Sequence, residues 1–338
     1  MPEHLSKYRC KAACRKILCE RLFIVAALSC LLIFAVGLTR NPEVKGVYEG
    51  RFWLMKFHWR SCADAVFAGD SRVCSCIHPA EMNRHLPGLR ILNYAFDGVG
   101  YYKEYLESIP KVLDSQSKRK IIILGITPRS LATSAITNDY YKDSKRKTKY
   151  HSNAILTLLD GLLQFLQPMA LREIFYMPSP GKNQRHFFRN YSRDGWAGRY
   201  MVPEEPRALI DPYRETFIRN QVSPETINGL LECVRKWRNA GVEVYGFRPP
   251  TTSEMLEVER AFSGFDEESF IASFQAAGGV WLNKADQTIY RTYDGSHLYP
   301  DAAEAFSREL ARILSDSLNK KSTGQECNET GLLQAAMM

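Results

Sequence analysis

The chain has 338 residues, 45% hydrophobic and 12% aromatic, with a formal charge of +8. That is long enough for one sizeable core or two modest ones, and the composition excludes a fibrous or a wholly disordered chain. The leader through Arg21 holds six basic and two acidic side chains, a net +4, which leaves +4 for everything after it; a balance so mild argues against nucleic acid as a partner.

The leader, residues 1–21, places Lys7, Arg9, Lys11, Arg15, Lys16 and Arg21 ahead of an uncharged apolar run, Leu22–Leu38. Seventeen residues without a charge are at the short end of a membrane-spanning helix, and the run shows no polar face. With the basic residues on its amino-terminal side it reads as a signal-anchor, cytoplasmic leader inside and the rest of the chain outside the cytoplasmic membrane, on the periplasmic or extracellular side. A cleaved signal peptide ending near Ala35-Val-Gly37 is the alternative, weakened by the length of the leader; a lipoprotein at Cys30 fits less well, because Ala27 stands three residues before it. Of nine cysteines, four lie in the leader or anchor. The odd number remaining permits no complete disulfide set and leaves a bridge at Cys62, Cys74 or Cys76 open. No Cys/His spacing resembles a zinc site, so no metal and no cofactor is expected.

Residues 39–61 read as a juxtamembrane connector whose Trp53, Phe57 and Trp59 suit either a membrane interface or packing against the domain. The domain proper is expected over residues 62–319. Its first strand is the short apolar run Ala65-Val-Phe-Ala68, broken by Gly69-Asp70 and delivering Ser71 at its carboxyl end, where open α/β sheets place their chemistry. A second strand follows over Arg90–Phe96, ending in Asp97-Gly98-Val99-Gly100. A helix over Tyr101 to about Ser117, bent at Pro110, leads to the strongest strand, Lys120–Ile126, a β-branched run typical of a parallel sheet buried on both faces.

Residues 130–222 are the least regular and read as a cap insertion. Asn153–Tyr176 contains an apolar helix, Lys142–Lys149 is a basic loop, and a loop rich in aromatic and arginine residues (Phe187, Phe188, Arg189, Tyr191, Trp196, Arg199, Tyr200) is either a packed lid or a sugar-stacking surface. Ser223-Pro224-Glu225 opens a helix stopped by Gly241. The strand Val242–Phe247, helices Glu254–Phe262 and Glu267–Ala277 and a short strand Gly279–Asn283 complete the alternation. Asp294-Gly-Ser-His297 then precedes an amphipathic helix from Pro300, and residues 320–338 read as a disordered tail. Alternating strands and helices predict a three-layer α/β/α sandwich with a mainly parallel sheet.

A serine hydroxyl becomes a competent nucleophile only when a base takes its proton, and His297 with Asp294 three residues before it supplies a base and its orienting acid. Gly69-Asp70-Ser71 at the first block and Asp294-x-x-His297 at the last resemble the SGNH/GDSL family of serine esterases and acyltransferases. The resemblance implies an SGNH-hydrolase, flavodoxin-like fold, a Ser71–His297–Asp294 triad, and oxyanion donors from the backbone of Ser71 and from Gly98 at the second block. The family's third block, Gly-x-Asn-Asp, departs here to Gly125-Ile-Thr127-Pro128-Arg129, so Thr127 and Arg129 replace the asparagine donor. That variant resembles a membrane-anchored branch associated with acylation of cell-envelope polymers. It implies an acylated glycan or small acyl ester as substrate and a membrane acyl-donor as partner. The alternative is a catalytically weak scaffold or glycan-binding protein of the same fold.

Overall fold

The computed structural model describes residues 20–32, 47, 49–134, 141–142, 145–146, 186–282 and 288–322. The chain divides into two compact units, one from Met1–Lys45 with His151–Lys182 and one from Gly46–Tyr150 with Asn183–Met338. In the first, residues 20–32 are helical and leave Leu22, Phe23, Ile24, Val25, Leu28, Leu31 and Leu32 exposed. Among the described residues no helix is long and apolar enough to cross a membrane. The expected membrane span Leu22–Leu38 is thus not supported among the described residues, and its last residues, like the expected helix in Asn153–Tyr176 and most of the tail, lie outside them.

The second unit is a mixed α/β body built on a five-stranded sheet of order β2-β1-β3-β6-β7, with every adjacent pair parallel. Its strands are β1 (Ala65–Ala68), β2 (Ile91–Asn93), β3 (Ile121–Gly125), β6 (Glu243–Phe247) and β7 (Val280–Trp281). The central strands β1 and β3 are buried at every position, which is why their apolar residues run continuously instead of alternating. Stepping from β1 to β2 runs one way across the sheet, and stepping on through β3, β6 and β7 runs the other. Right-handed crossovers therefore put the connecting helices on opposite faces. The packing follows this division. Helices α2 (Ser71–Cys76), α3 (Pro79–His85) and α10 (Pro300–Ser322) lie together, and α7 (Pro224–Asn239) packs with α4 (Lys103–Ser108) and α9 (Glu267–Ala276). A smaller apolar cluster joins α6 (Ile210–Arg219) to α8 (Ser253–Phe262) through Ile210, Tyr213, Phe217, Met255 and Val258.

Three expectations need correction. The second strand is shorter than expected, Ile91–Asn93: the Tyr94 amide closes its last pair with β1 by donating to Phe67 O (2.7 Å), and beyond it only Phe96 still bonds across, to Gly69 O where β1 has already turned (3.1 Å). The aromatic and arginine-rich stretch is a hairpin, β4 (His186–Tyr191) with β5 (Ala197–Val202), whose inward positions Tyr191, Arg199 and Met201 are buried. The connector contains α1 (Glu49–His58), which carries Phe52, Trp53 and Phe57 into the main core, so of the two readings of these aromatics the structure takes packing. Cys30, Cys62, Cys74, Cys76 and Cys233 are free thiols.

Candidate active site

Two short segments from opposite ends of the main unit meet at the carboxyl edge of the sheet. At the end of β1 the chain turns through Gly69, where φ is +155° and a Cβ would lie 2.4 Å from Val73 Cγ2, so only glycine lets α2 approach this closely. Asp70 then caps α2, accepting from the Arg72 amide (3.0 Å). Ser71 becomes the first residue of that helix and keeps partial exposure.

The other segment is Asp294–His297. Asp294 Oδ1 accepts the amides of Ser296 (2.9 Å) and His297 (2.8 Å), folding the four residues into a tight turn. Gly295 sits at φ +85° with its Cβ position 2.5 Å from Pro206 O, so the turn admits no side chain there. Its carbonyl accepts from Thr251 Oγ1 (3.0 Å) and Thr252 Oγ1 (3.1 Å). The second Asp294 oxygen then faces His297 Nδ1 at 2.7 Å, and His297 Nε2 lies 2.9 Å from Ser71 Oγ. Burial works to raise the Asp294 carboxyl pKa, but the imidazole and the hydrogen bonds outweigh it and hold the group below its ordinary value. With Nδ1–H donating to a carboxylate, Nε2 presents its lone pair to the Ser71 hydroxyl.

Arg72 fastens the two segments together. It is 1% exposed and donates from Nε to Ser296 Oγ at 2.8 Å, one residue before His297. Its Nη2 lies 2.8 Å from Glu259 Oε1, an ion-pair distance without hydrogen-bond alignment. Glu259 Oε2 is shared with Arg248 at 2.6 Å, and Arg248 also donates to Ile126 O after β3. None of Arg72, Arg248, Glu259, Thr251 or Thr252 was singled out by the sequence. Only Arg72 carried a signal, as the arginine adjoining the candidate nucleophile.

Gly98 lies in the loop after β2 at φ +62°. The preceding Asp97 is held by Arg199 of the hairpin (2.8 Å), a buried arginine of the stretch expected to be a cap loop. Neither the Ser71 nor the Gly98 amide has an acceptor among the described residues, as expected of donors left for a ligand. Thr127 is different. Its hydroxyl donates to Asp70 Oδ2 (2.5 Å) and accepts from the Ser130 amide (3.1 Å) as the cap of a one-turn helix α5 (Pro128–Leu131). A hydroxyl has one hydrogen, and this one is committed, which removes Thr127 as an oxyanion donor in this arrangement. Arg129 is half-buried, its guanidinium 5.3 Å from the centre of the Tyr213 ring.

His78, Glu81 and Glu304 can bring ligand atoms within 4.8 Å of one another. Both Glu81 oxygens, however, already contact arginines, Arg84 at 2.5 Å and Arg308 at 3.3 Å, which compete with a cation for the same lone pairs.

No protein family and no curated protein matches the chain. Among solved structures, it is similar to one from Streptococcus pneumonia described as "a putative platelet activating factor", at 14% identity over 86% of this chain and 99% of that one, with a TM-score of 0.35. A likeness of that size carries no argument about function.

Proposed function

We propose that the protein is an SGNH-type serine esterase or O-acyltransferase with a three-layer, flavodoxin-like α/β/α domain. The observation that carries this reading is the relay from Ser71 Oγ through His297 to Asp294, at 2.9 and 2.7 Å, on a serine that is partly open to solvent. In the proposed reaction His297 Nε2 takes the Ser71 proton as Oγ bonds to the ester carbonyl carbon. The carbonyl oxygen becomes an oxyanion held by the Ser71 and Gly98 amides. As the intermediate collapses, His297 returns the proton to the leaving alcohol and an acyl-Ser71 remains. Water or a second hydroxyl then attacks the acyl-enzyme in the same way, and the acceptor admitted decides between hydrolysis and transfer. Asp294 stays ionised throughout and stabilises the imidazolium.

The basic leader and apolar Leu22–Leu38 support a membrane anchor with the domain on the extracytoplasmic side, and an envelope glycan fits that location as acceptor. A second reading, a catalytically weak scaffold of the same fold, is favoured by one observation. The third-block hydroxyl of Thr127 is spent on Asp70, and loss of one oxyanion donor costs ~10²–10³ in turnover. Exposure of the protein to 4-nitrophenyl acetate, quenched in acid and weighed intact, tests between them. An acetyl increment mapped to Ser71 and absent from Ser71→Ala is the expected result, whereas folded protein that neither acylates nor turns over supports the scaffold.

A further inference from the structure

Three arginines belong to the network that reaches the relay's turn through Ser296, Glu259 and Tyr213, and they differ in what balances them. Arg72 and Arg248 are both buried and share Glu259, with Glu267 a further 3.9 Å from Arg248. Arg129 has no carboxylate within ion-pair distance among the described residues, and none of its guanidinium hydrogens is given to a protein acceptor there. Its backbone leaves a segment anchored at the site, and its guanidinium lies over the Tyr213 ring. Two residues earlier, Thr127 is bonded to Asp70, the residue before Ser71. The Tyr213 ring beneath its guanidinium carries a hydroxyl 3.4 Å from Ser296 Oγ, between Asp294 and His297.

A partly exposed guanidinium that no carboxylate among the described residues balances can take up an anionic partner at little desolvation cost. A guanidinium over an aromatic face keeps its edge available, and that edge matches a carboxylate or phosphate in a bidentate fork. Resting on the esterase or acyltransferase reading, we infer that Arg129 is a specificity residue that selects substrates bearing an anionic group beside the scissile ester. The site would then take an acidic glycan or an acidic acyl group in preference to a neutral one. Lysine cannot substitute fully, because it offers a point charge in place of a fork.

The test uses three esters: phenyl acetate (neutral), 4-acetoxybenzoate (anion on the alcohol side) and monophenyl succinate (anion on the acyl side). For each, kcat/KM of the full chain is compared with that of Arg129→Met, so that the intrinsic reactivity of the ester cancels. The expected result is a fall at least roughly 10- to 100-fold larger for one of the anionic esters than for phenyl acetate, from the loss of a charge-assisted hydrogen bond. Arg129→Lys should fall in between. Which anionic ester responds identifies the side of the substrate that carries the charge. An equal fall on all three esters would overturn the inference and mark Arg129 as a stabiliser of the oxyanion, and no fall on any would also overturn it. Should wild type turn over none of them, the esterase reading fails by itself. Binding then decides the inference: NMR titration with benzoate against benzamide should show benzoate binding that Arg129→Met abolishes, and its absence overturns the inference.

Discussion

Replacing Arg72 with methionine removes a buried side chain that, beside the Ser71–His297 contact itself, ties the nucleophile's helix to the base's turn. The substitution leaves Glu259 in the core with Arg248 as its remaining ion pair, and it deprives Ser296 Oγ of its charged donor. Removing one partner of a buried ion pair costs about 3–5 kcal/mol. Because Arg248 stays at 2.6 Å, the low end applies to that part, about 3 kcal/mol, and the lost hydrogen bond to Ser296 adds about 1 kcal/mol. At roughly 2–4 °C per kcal/mol for a domain of this size, Tm should fall by about 8–16 °C. The Asp294–His297 turn then keeps its Thr251 and Thr252 contacts but loses its charged link to α2, and a base displaced by ~1 Å slows reaction at Ser71 by about 10²-fold. Circular dichroism melting and the rate of fluorophosphonate labelling measure the two effects separately. Arg72→Lys cannot reach Ser296 and Glu259 together with one ammonium and should recover only part of either. An Arg72→Met protein within about 1 kcal/mol of wild type and labelled at the same rate would refute this account of how the site is held.

Thr127→Val should destabilise by about 2–4 kcal/mol, since Asp70, 1% exposed, loses its hydroxyl partner and Ser130 loses its cap, while Thr127→Ser keeps both bonds and should stay near wild type in a urea titration. Asp294 has a depressed carboxyl pKa in the folded chain, so its contribution is present above the unfolded carboxylate value of about 3.9 and is lost as pH falls through the lower folded value. Wild type should accordingly lose stability below about pH 4 more steeply than Asp294→Asn, measured by chemical denaturation at a series of pH values. Lys56 is fully buried, donates to Ala95 O at 2.7 Å and lies against the Phe52, Trp53 and Phe96 rings, and burial lowers its ammonium pKa. At Lys56 the unfolded chain therefore holds the proton more firmly between that lowered value and about 10.4, so this residue's own contribution to stability rises with pH across the window, against the opposite slope that the raised thiol of neighbouring Cys74 adds above about 8.5. Lys56→Met should abolish the rise and be neutral or stabilising at neutral pH, and a large loss there would contradict the burial argument.

The parts of the fold that local chemistry dictates were readable in advance. The strands β1 and β3 announce themselves because a parallel strand buried on both faces needs an unbroken apolar run, and Gly69-Asp70 marks the break after β1. The candidate relay was readable because both of its turns are short and self-contained, with Asp294 organising its own turn through two amides. What stayed hidden depends on partners distant in sequence. The Thr127 hydroxyl looks available until Asp70 is seen across the β1–β3 edge. The stretch holding Arg199 reads as a loop, either a packed lid or a sugar-stacking surface, until its pairing as a hairpin and the Arg199–Asp97 contact place that arginine inside. Trp53 and Phe57 suit a membrane interface and a core equally well by residue type, so tertiary packing alone distinguishes them.

Whether Ser71 is an activated nucleophile is decided by treating the folded protein with a fluorophosphonate and weighing it intact beside Ser71→Ala and His297→Ala. Wild type should label stoichiometrically on Ser71, Ser71→Ala not at all, and His297→Ala at a rate lower by several orders of magnitude. Folded wild type that stays unlabelled, or His297→Ala that labels as fast as wild type, would contradict an activated Ser71.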